Sequence, residues 1–215
     1  MDIIGIKPLL AGAVTTLGLA MLAIVAGFVL GLVLGILRWL KPPGLSRVLA
    51  VYISAVRATP LLTLALVVFF LIPALTGYDM PAALAAIIAM SVNTSAFNCE
   101  IWRTGLEHFP RDQLEAARAA GMPRGLLLRR IMLPQIARSH LPPLVNEMTV
   151  LIKNSPAISV IGIVDLTRAA VRIGADTYRP LPPLMSALVI YVAIVFALVR
   201  WQRRLERDFA VRQAR

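Results

Sequence analysis

"EAARAAGMPRGLLLRRIMLPQ" spans residues 115–135, with four arginines, two glycines and two prolines among its alanines and leucines. It interrupts a chain of another character. The protein has 215 residues, of which 59% are hydrophobic and only 15% charged. A soluble domain is closer to about a quarter charged. Mean hydropathy is +0.79. Several apolar runs on either side approach the roughly 20 residues that cross a bilayer as helix. These features indicate an all-α integral membrane protein forming one domain over residues 1–215. The polar stretch is then a segment held outside the membrane, and its placement organises the rest.

Charge and cysteine usage narrow the classes. The formal net charge is +11, from 22 Lys+Arg against 11 Asp+Glu. A basic excess fits nucleic acid or cytoplasmic membrane loops, and arginines outside apolar runs favour the loops. No nucleic-acid partner is expected. Cys99 is the one cysteine, so no intrachain disulfide forms. His108 and His140 lie apart in polar segments without other ligand types, and no metal site is expected. The first apolar run is too long for a signal-peptide core, so it reads as a retained span.

Five spans are predicted, at about 10–37, 48–72, 80–99, 141–164 and 184–201. Gly27, Gly31 and Gly35 share one face of the first span, where a neighbouring backbone can approach closely. Arg57 and Pro60 interrupt the second, and Pro81 suits the first turn of the third. Basic loops alternate with poorer ones. Arg38, Lys41 and Arg47 follow the first span, whereas only Asp79 follows the second. Seven arginines from Arg103 to Arg138 follow the third span, and six occupy the C-terminal tail. The link after the fourth is mixed, with Asp165, Arg168, Arg172, Asp176 and Arg179. The positive-inside rule places the N-terminus outside and the C-terminus, with residues 103–138, in the cytoplasm.

That cytoplasmic segment reads as a helix-turn-helix. Asp112 is a candidate N-cap, with Glu115 completing a capping box. Gly121 suits the left-handed position that ends a helix. Pro123 begins a second helix, which Pro134 stops or kinks. A DNA-binding helix-turn-helix fits poorly between membrane spans. A helix resting on lipid headgroups remains open. A protein docking element accounts better for small alanines on one face and rigid Gly and Pro punctuation.

"EAARAAG" followed by "IMLPQ" resembles the EAA loop of permease subunits of bacterial ABC importers, through Glu115, Ala116, Ala117, Gly121, Ile131, Leu133 and Pro134. Other stretches are similar to the polar amino acid subfamily (His/Glu/Gln-type). "VRATPLL" resembles its Arg-Gly-Thr-Pro-Leu segment, and "AFNCEIWRTGL" its Ala-Tyr-x-x-Glu-x-x-Arg-Gly segment. "LIKNSPAIS" resembles Leu-Lys-Asp-Thr-Ser-Leu, departing at Asn154, Ser155 and Pro156.

The resemblance implies a type I ABC importer permease fold in the bacterial inner membrane, with five transmembrane helices and a cytoplasmic coupling helix-turn-helix. It implies two separate ABC ATPase subunits, a second permease (identical or sibling) and an extracytoplasmic substrate-binding protein. ATP and Mg belong to the ATPase; the chain has no phosphate-binding loop, binds no cofactor itself and is expected not to be an enzyme. The seven EAA positions are the expected ATPase-coupling residues. Asn93, Asn98, Glu100, Asn146, Glu147 and Lys153 are candidates for the substrate path, because polar groups within spans are costly and often functional. All but Lys153 have a structural alternative: interhelical bonding for the asparagines and Glu147, and an i,i+3 pair with Arg103 for Glu100. Arg57 snorkels or lines the path. Polar amino acids are the expected cargo. A methionine or other small-zwitterion permease, an ATPase-independent secondary transporter and a membrane scaffold are the alternatives.

Overall fold

The computed structural model describes residues 3–213, and all its regular elements are helical. α1 is Ile3–Leu40. α2 is Leu45–Ala58, and α3 is Leu61–Thr76 with a π-helical turn at Val67–Leu71. α4 is Ala82–Glu107, and α5 is Arg111–Ala119. α6 runs through Arg124–Leu127, a π-helical turn at Leu128–Met132, and Leu133–Ser139. α7 is Leu141–Asn154, followed by a 3₁₀ segment, Ser155–Ile161. α8 is Leu166–Thr177, and α9 is Leu181–Gln213.

The frame is α1 laid along α4. A Cβ on Gly27 would fall 2.0 Å from Thr94 Cγ2, one on Gly31 2.5 Å from Asn98 Cβ, and one on Gly35 2.8 Å from Trp102 Cβ. Glycines four apart on α1 thus meet residues four apart on α4, and the backbones approach as no larger residue permits. Lipid tails are as apolar as a leucine side chain, so close contact of this kind, rather than apolar burial, holds membrane helices together. A second cluster joins α2 to α4, where Cys99 is buried with Ile53, Val56 and Ala96.

The helices depart from the predicted spans in instructive ways. α1, α4 and α9 are long and apolar enough to cross a membrane; α2 and α3, expected as one span at 48–72, form a pair bent by 110°. The break falls at Thr59–Pro60. Pro60 lacks an N–H and disfavours helical backbone at Thr59, which is extended at φ −91, ψ 127. The run at 141–164 is not one helix either. α7 ends at Asn154, where Pro156 in the next residues turns the chain into a 3₁₀ segment ending at left-handed Gly162. α4 extends beyond 99 to Glu107, absorbing residues 103–107 that were assigned to the loop. The link after the predicted fourth span folds into α8, capped by the Asp165 carboxylate accepting from the Arg168 N–H at 2.8 Å.

α1 also measures the molecule. Near its start, Leu9 and Ala13 pack with Leu166, Ala169 and Ala170 of α8. There the Leu166 N–H donates to Thr16 Oγ1 at 3.1 Å. Near its end, Phe28, Leu32, Ile36 and Trp39 pack on the cluster built by α5, α6 and the end of α4. At roughly 1.5 Å per residue the two contacts lie about 35 Å apart, close to a bilayer's hydrocarbon thickness.

Two expectations follow. Gly31→Leu has to separate α1 from Asn98 and lowers stability by about 1–3 kcal/mol or more, read as a depressed melting temperature in detergent; Gly18→Leu, with nothing within 4 Å, leaves it unchanged. The second concerns His140, whose ring fills the space left by Gly105, 3.0 Å from where a Cβ would stand. Burial pushes the His140 imidazole below its ordinary pKa, and nearby His108 adds to this. The folded state therefore favours the neutral ring. Its contribution to stability is complete above the unfolded pKa of about 6.5 and is lost as pH falls through the lowered folded value. Melting temperature falls on acidification through this window, and His140→Gln flattens that fall.

Candidate functional site

The segment that interrupts the apolar chain forms a packed helical hairpin. α5 is not capped as anticipated: Pro110 occupies the N-cap, no side chain caps the helix, and Asp112 lies in its first turn. A proline there fixes φ and starts the helix without a side-chain cap. The other end follows the expected chemistry. Gly121 is left-handed at φ 72; its N–H donates to Arg118 O at 2.9 Å, and the Met122 N–H to Ala117 O at 3.0 Å. These two bonds are a Schellman ending. Pro123 then begins α6.

Pro134 neither stops nor sharply ends α6. The π-helical turn at Leu128–Met132 precedes it, and the helix continues to Ser139. A π-turn accommodates the carbonyl that proline leaves without a donor. It also brings Leu127, Met132 and Ile136 to one buried face, although the first step is five residues. Gln135 Nε2 donates to Gln113 Oε1 at 2.9 Å, tying the two helices together.

The seven EAA positions divide by face. Ala117 is buried, and Ile131 and Leu133 pack partly against the same cluster as Trp102 and Leu106. Glu115, Ala116, Gly121 and Pro134 are exposed. Ala119, Ala120, Arg118, Arg129 and Arg130 are exposed as well. The outer surface thus combines small side chains with arginines and the carboxylates of Asp112 and Glu115, which suits close protein contact with polar pairing.

Beside the hairpin, Glu100 of α4 carries an ion-pair network. Arg103 donates to its Oε2 through Nε at 2.9 Å and Nη2 at 2.7 Å. Arg38, in the last turn of α1, pairs with Oε1, and Arg103 reaches on to Glu107. Glu100 is therefore a cross-link between α1 and α4 as well as the half of an i,i+3 pair.

Next to it opens a cavity of about 430 Å³ lined by residues that include Arg57, Phe97, Glu100, His140, Asn146 and Glu147. Arg57 stacks over the Phe97 ring at 5.2 Å rather than only reaching for the surface. Glu147 is 7% exposed. Three predicted path residues, Glu100, Asn146 and Glu147, thus share one space with Arg57. The other three lie elsewhere. Asn98 is buried against α1, with its Oδ1 lacking a partner. Asn93 is buried within α4. Lys153, a candidate for the path, is exposed in a groove against α9 with Tyr191 and Phe196. Sequence reasoning missed Arg38 as a partner of Glu100 and His140 as a lining residue of this space. The arginine at the end of a glycine-faced helix was the available signal for the first; none existed for the second.

Known proteins carry the same architecture. An arginine transport system permease protein of Bacillus subtilis, ArtQ, is 34% identical over 93% of this chain and 91% of its own length. The octopine transport system permease protein OccM of Rhizobium meliloti is 35% identical over 93% of this chain and 87% of its own. A solved structure described as an amino acid ABC transporter with histidines superimposes with TM-score 0.87 at 32% identity, covering 97% of this chain and 99% of that one. The MetNI methionine ABC transporter, in an inward-facing form, shares the fold at TM-score 0.83 and 22% identity over 97% of this chain and 99% of that one. Residues 27–211 match the family described as "Binding-protein-dependent transport system inner membrane component", and the chain belongs to it.

Proposed function

We propose that this chain is the permease subunit of an ATP-driven importer for polar or charged amino acids, coupled to a separate ATPase through the α5–α6 hairpin. The observation that carries the reading is the full-length similarity to permeases named for arginine and octopine transport, beside a cavity that offers a buried carboxylate and a guanidinium together. Glu147 suits a substrate ammonium, Arg57 a carboxylate, and Asn146 either. The methionine transporter supports the fold alone. An ATPase-independent carrier would leave the capped, arginine-faced hairpin without a purpose.

In this reading two ATPase subunits, binding ATP and Mg, dock on two hairpins, one from this chain and one from a second permease. Their closure draws the hairpins together. Each hairpin moves as a body because its helices are joined by a Schellman turn, by the hydrogen bond from Gln135 to Gln113 and by one apolar cluster. The motion enters α4 at Trp102 and Leu106 and α7 at Leu144. These helices bear Glu100 and Glu147, so the cavity walls shift. The hairpin end is cytoplasmic, with the C-terminus on that side and the N-terminus outside.

Three measurements test this. Tagged protein should copurify an ATPase subunit, and consistent failure to do so would sink the importer reading. Glu115→Lys and Gly121→Val should uncouple ATP hydrolysis from uptake. Gly121→Asn should be milder than Gly121→Val, since asparagine tolerates φ 72; wild-type uptake by all three variants would refute the lever. Glu147→Gln should lower uptake of cationic amino acids in proteoliposomes by about tenfold, the scale of one lost charged hydrogen bond, with ATPase assembly intact.

A further inference from the structure

α9 is the least buried of the three helices that are long and apolar enough to cross a membrane. Its residues 181–199 carry no charge. At about 1.5 Å per residue they reach about 28 Å, close to the roughly 30 Å of a bilayer's hydrocarbon. Arg200 stands where this apolar stretch ends, and Arg203, Arg204 and Arg207 follow within about two helical turns.

These arginines are not scattered around the helix. At about 100° per residue, Met185, Val189, Val192 and Phe196 share one face of α9, and all four are exposed. Arg200, Arg203, Arg204 and Arg207 continue that face at i, i+3, i+4, i+7 spacing, and they are exposed as well. The opposite face packs on the bundle through Ala187, Ile194 and Leu198. A single stripe thus runs from apolar to cationic and points away from the rest of the chain. A contact joins its two parts: the Arg200 guanidinium lies over the Phe196 ring, 5.9 Å from its centroid.

The direction of the stripe selects the partner. Lipid that meets Val189, Val192 and Phe196 presents its headgroup to the arginines where α9 emerges. A second copy of this chain seated on the same face about a two-fold axis would set four arginines against four, and like charges repel. Residues 200–215 hold six arginines against two acids, Glu206 and Asp208, so the surface calls for an anion. Guanidinium forks match phosphate oxygens, and basic clusters directly beyond a membrane helix attract anionic leaflets.

We propose that the face of α9 formed by Arg200, Arg203, Arg204 and Arg207 is a binding site for the headgroups of anionic phospholipids, which it gathers around the emerging end of the helix. The site requires only that α9 cross the bilayer, and it stands apart from the importer reading.

The test reconstitutes the full chain in bilayers of mixed phosphatidylglycerol and phosphatidylcholine. Electron spin resonance of spin-labelled forms of each lipid then gives their relative association with the protein. Wild type should prefer phosphatidylglycerol about fivefold at low salt, the scale of one arginine at an anionic surface, and the preference should shrink at high salt. Arg200→Gln, Arg203→Gln, Arg204→Gln and Arg207→Gln combined should remove most of it. Should that variant fail to fold, the pairs Arg200→Gln with Arg203→Gln and Arg204→Gln with Arg207→Gln decide, each weakening the preference. Arg118→Gln, Arg124→Gln, Arg129→Gln and Arg130→Gln combined take the same charge from the hairpin and should leave the preference intact. Equal losses from the two fourfold variants would overturn the proposal, since net charge alone would then set the selectivity. A wild type without preference, or α9 variants that keep it in full, would also overturn it. An α9 variant that keeps its lipid preference but no longer copurifies an ATPase would assign the face to that protein instead.

Discussion

The close approach of α1 to α4 is the constraint from which the other positions follow. Three glycines leave no space between the helices, and the residues facing them are tightly fixed. The contact even tolerates polar atoms without partners: Ser91 Oγ, Asn98 Oδ1 and Trp102 Nε1 are sealed in or beside it. Such groups cost free energy when buried, so the fit of backbone against backbone outweighs them. With this pair set, one end of α1 receives the hairpin and the other receives α8. The ion pairs from Arg38 to Glu100 and Arg103 fasten the pair where the glycines end.

The hairpin and the cavity are neighbours through a short run of α4. Thr104 lines the cavity, Gly105 accepts the ring of His140, and Leu106 lies in the core that holds α5 and α6. Less than one turn of helix, at about 3.6 residues per turn, therefore separates the hairpin's core from the polar space. A displacement of the hairpin needs no long relay to be felt there.

The features that the sequence revealed depend on local chemistry. The glycine face of α1, the turn at Gly121 and the proline starts of α4 and α6 each rest on one residue's backbone preference, so spacing alone discloses them. The capping of α5 was misread because Pro110 and Asp112 both mark helix starts, and proline's fixed φ prevailed. The bends within the second and fourth predicted spans escaped the sequence because hydropathy averages over a bend. Apolar residues continue across Thr59–Pro60 and across Asn154–Pro156 while the backbone turns. The buried face of α6 escaped a period of 3.6 because the π-turn makes one step five residues long, from Leu127 to Met132. Within the site, Asn146 and Glu147 are neighbours on one helix and line one cavity. The grouping failed where helix rotation decides, which sends Asn98 toward α1 and Lys153 toward α9.

Cys99 offers a use that its chemistry does not advertise. It is the chain's one thiol, and it is sealed between α2 and α4 with its backbone against Gly35. A reagent reaches it only when α2 leaves α4 or α1 lifts away. Its alkylation rate is thus a clock for the opening of the central frame. Because that clock runs slowly in the packed state, a cysteine introduced on the surface would be labelled first, and a native protein need not be stripped of its own thiol before such a label is placed.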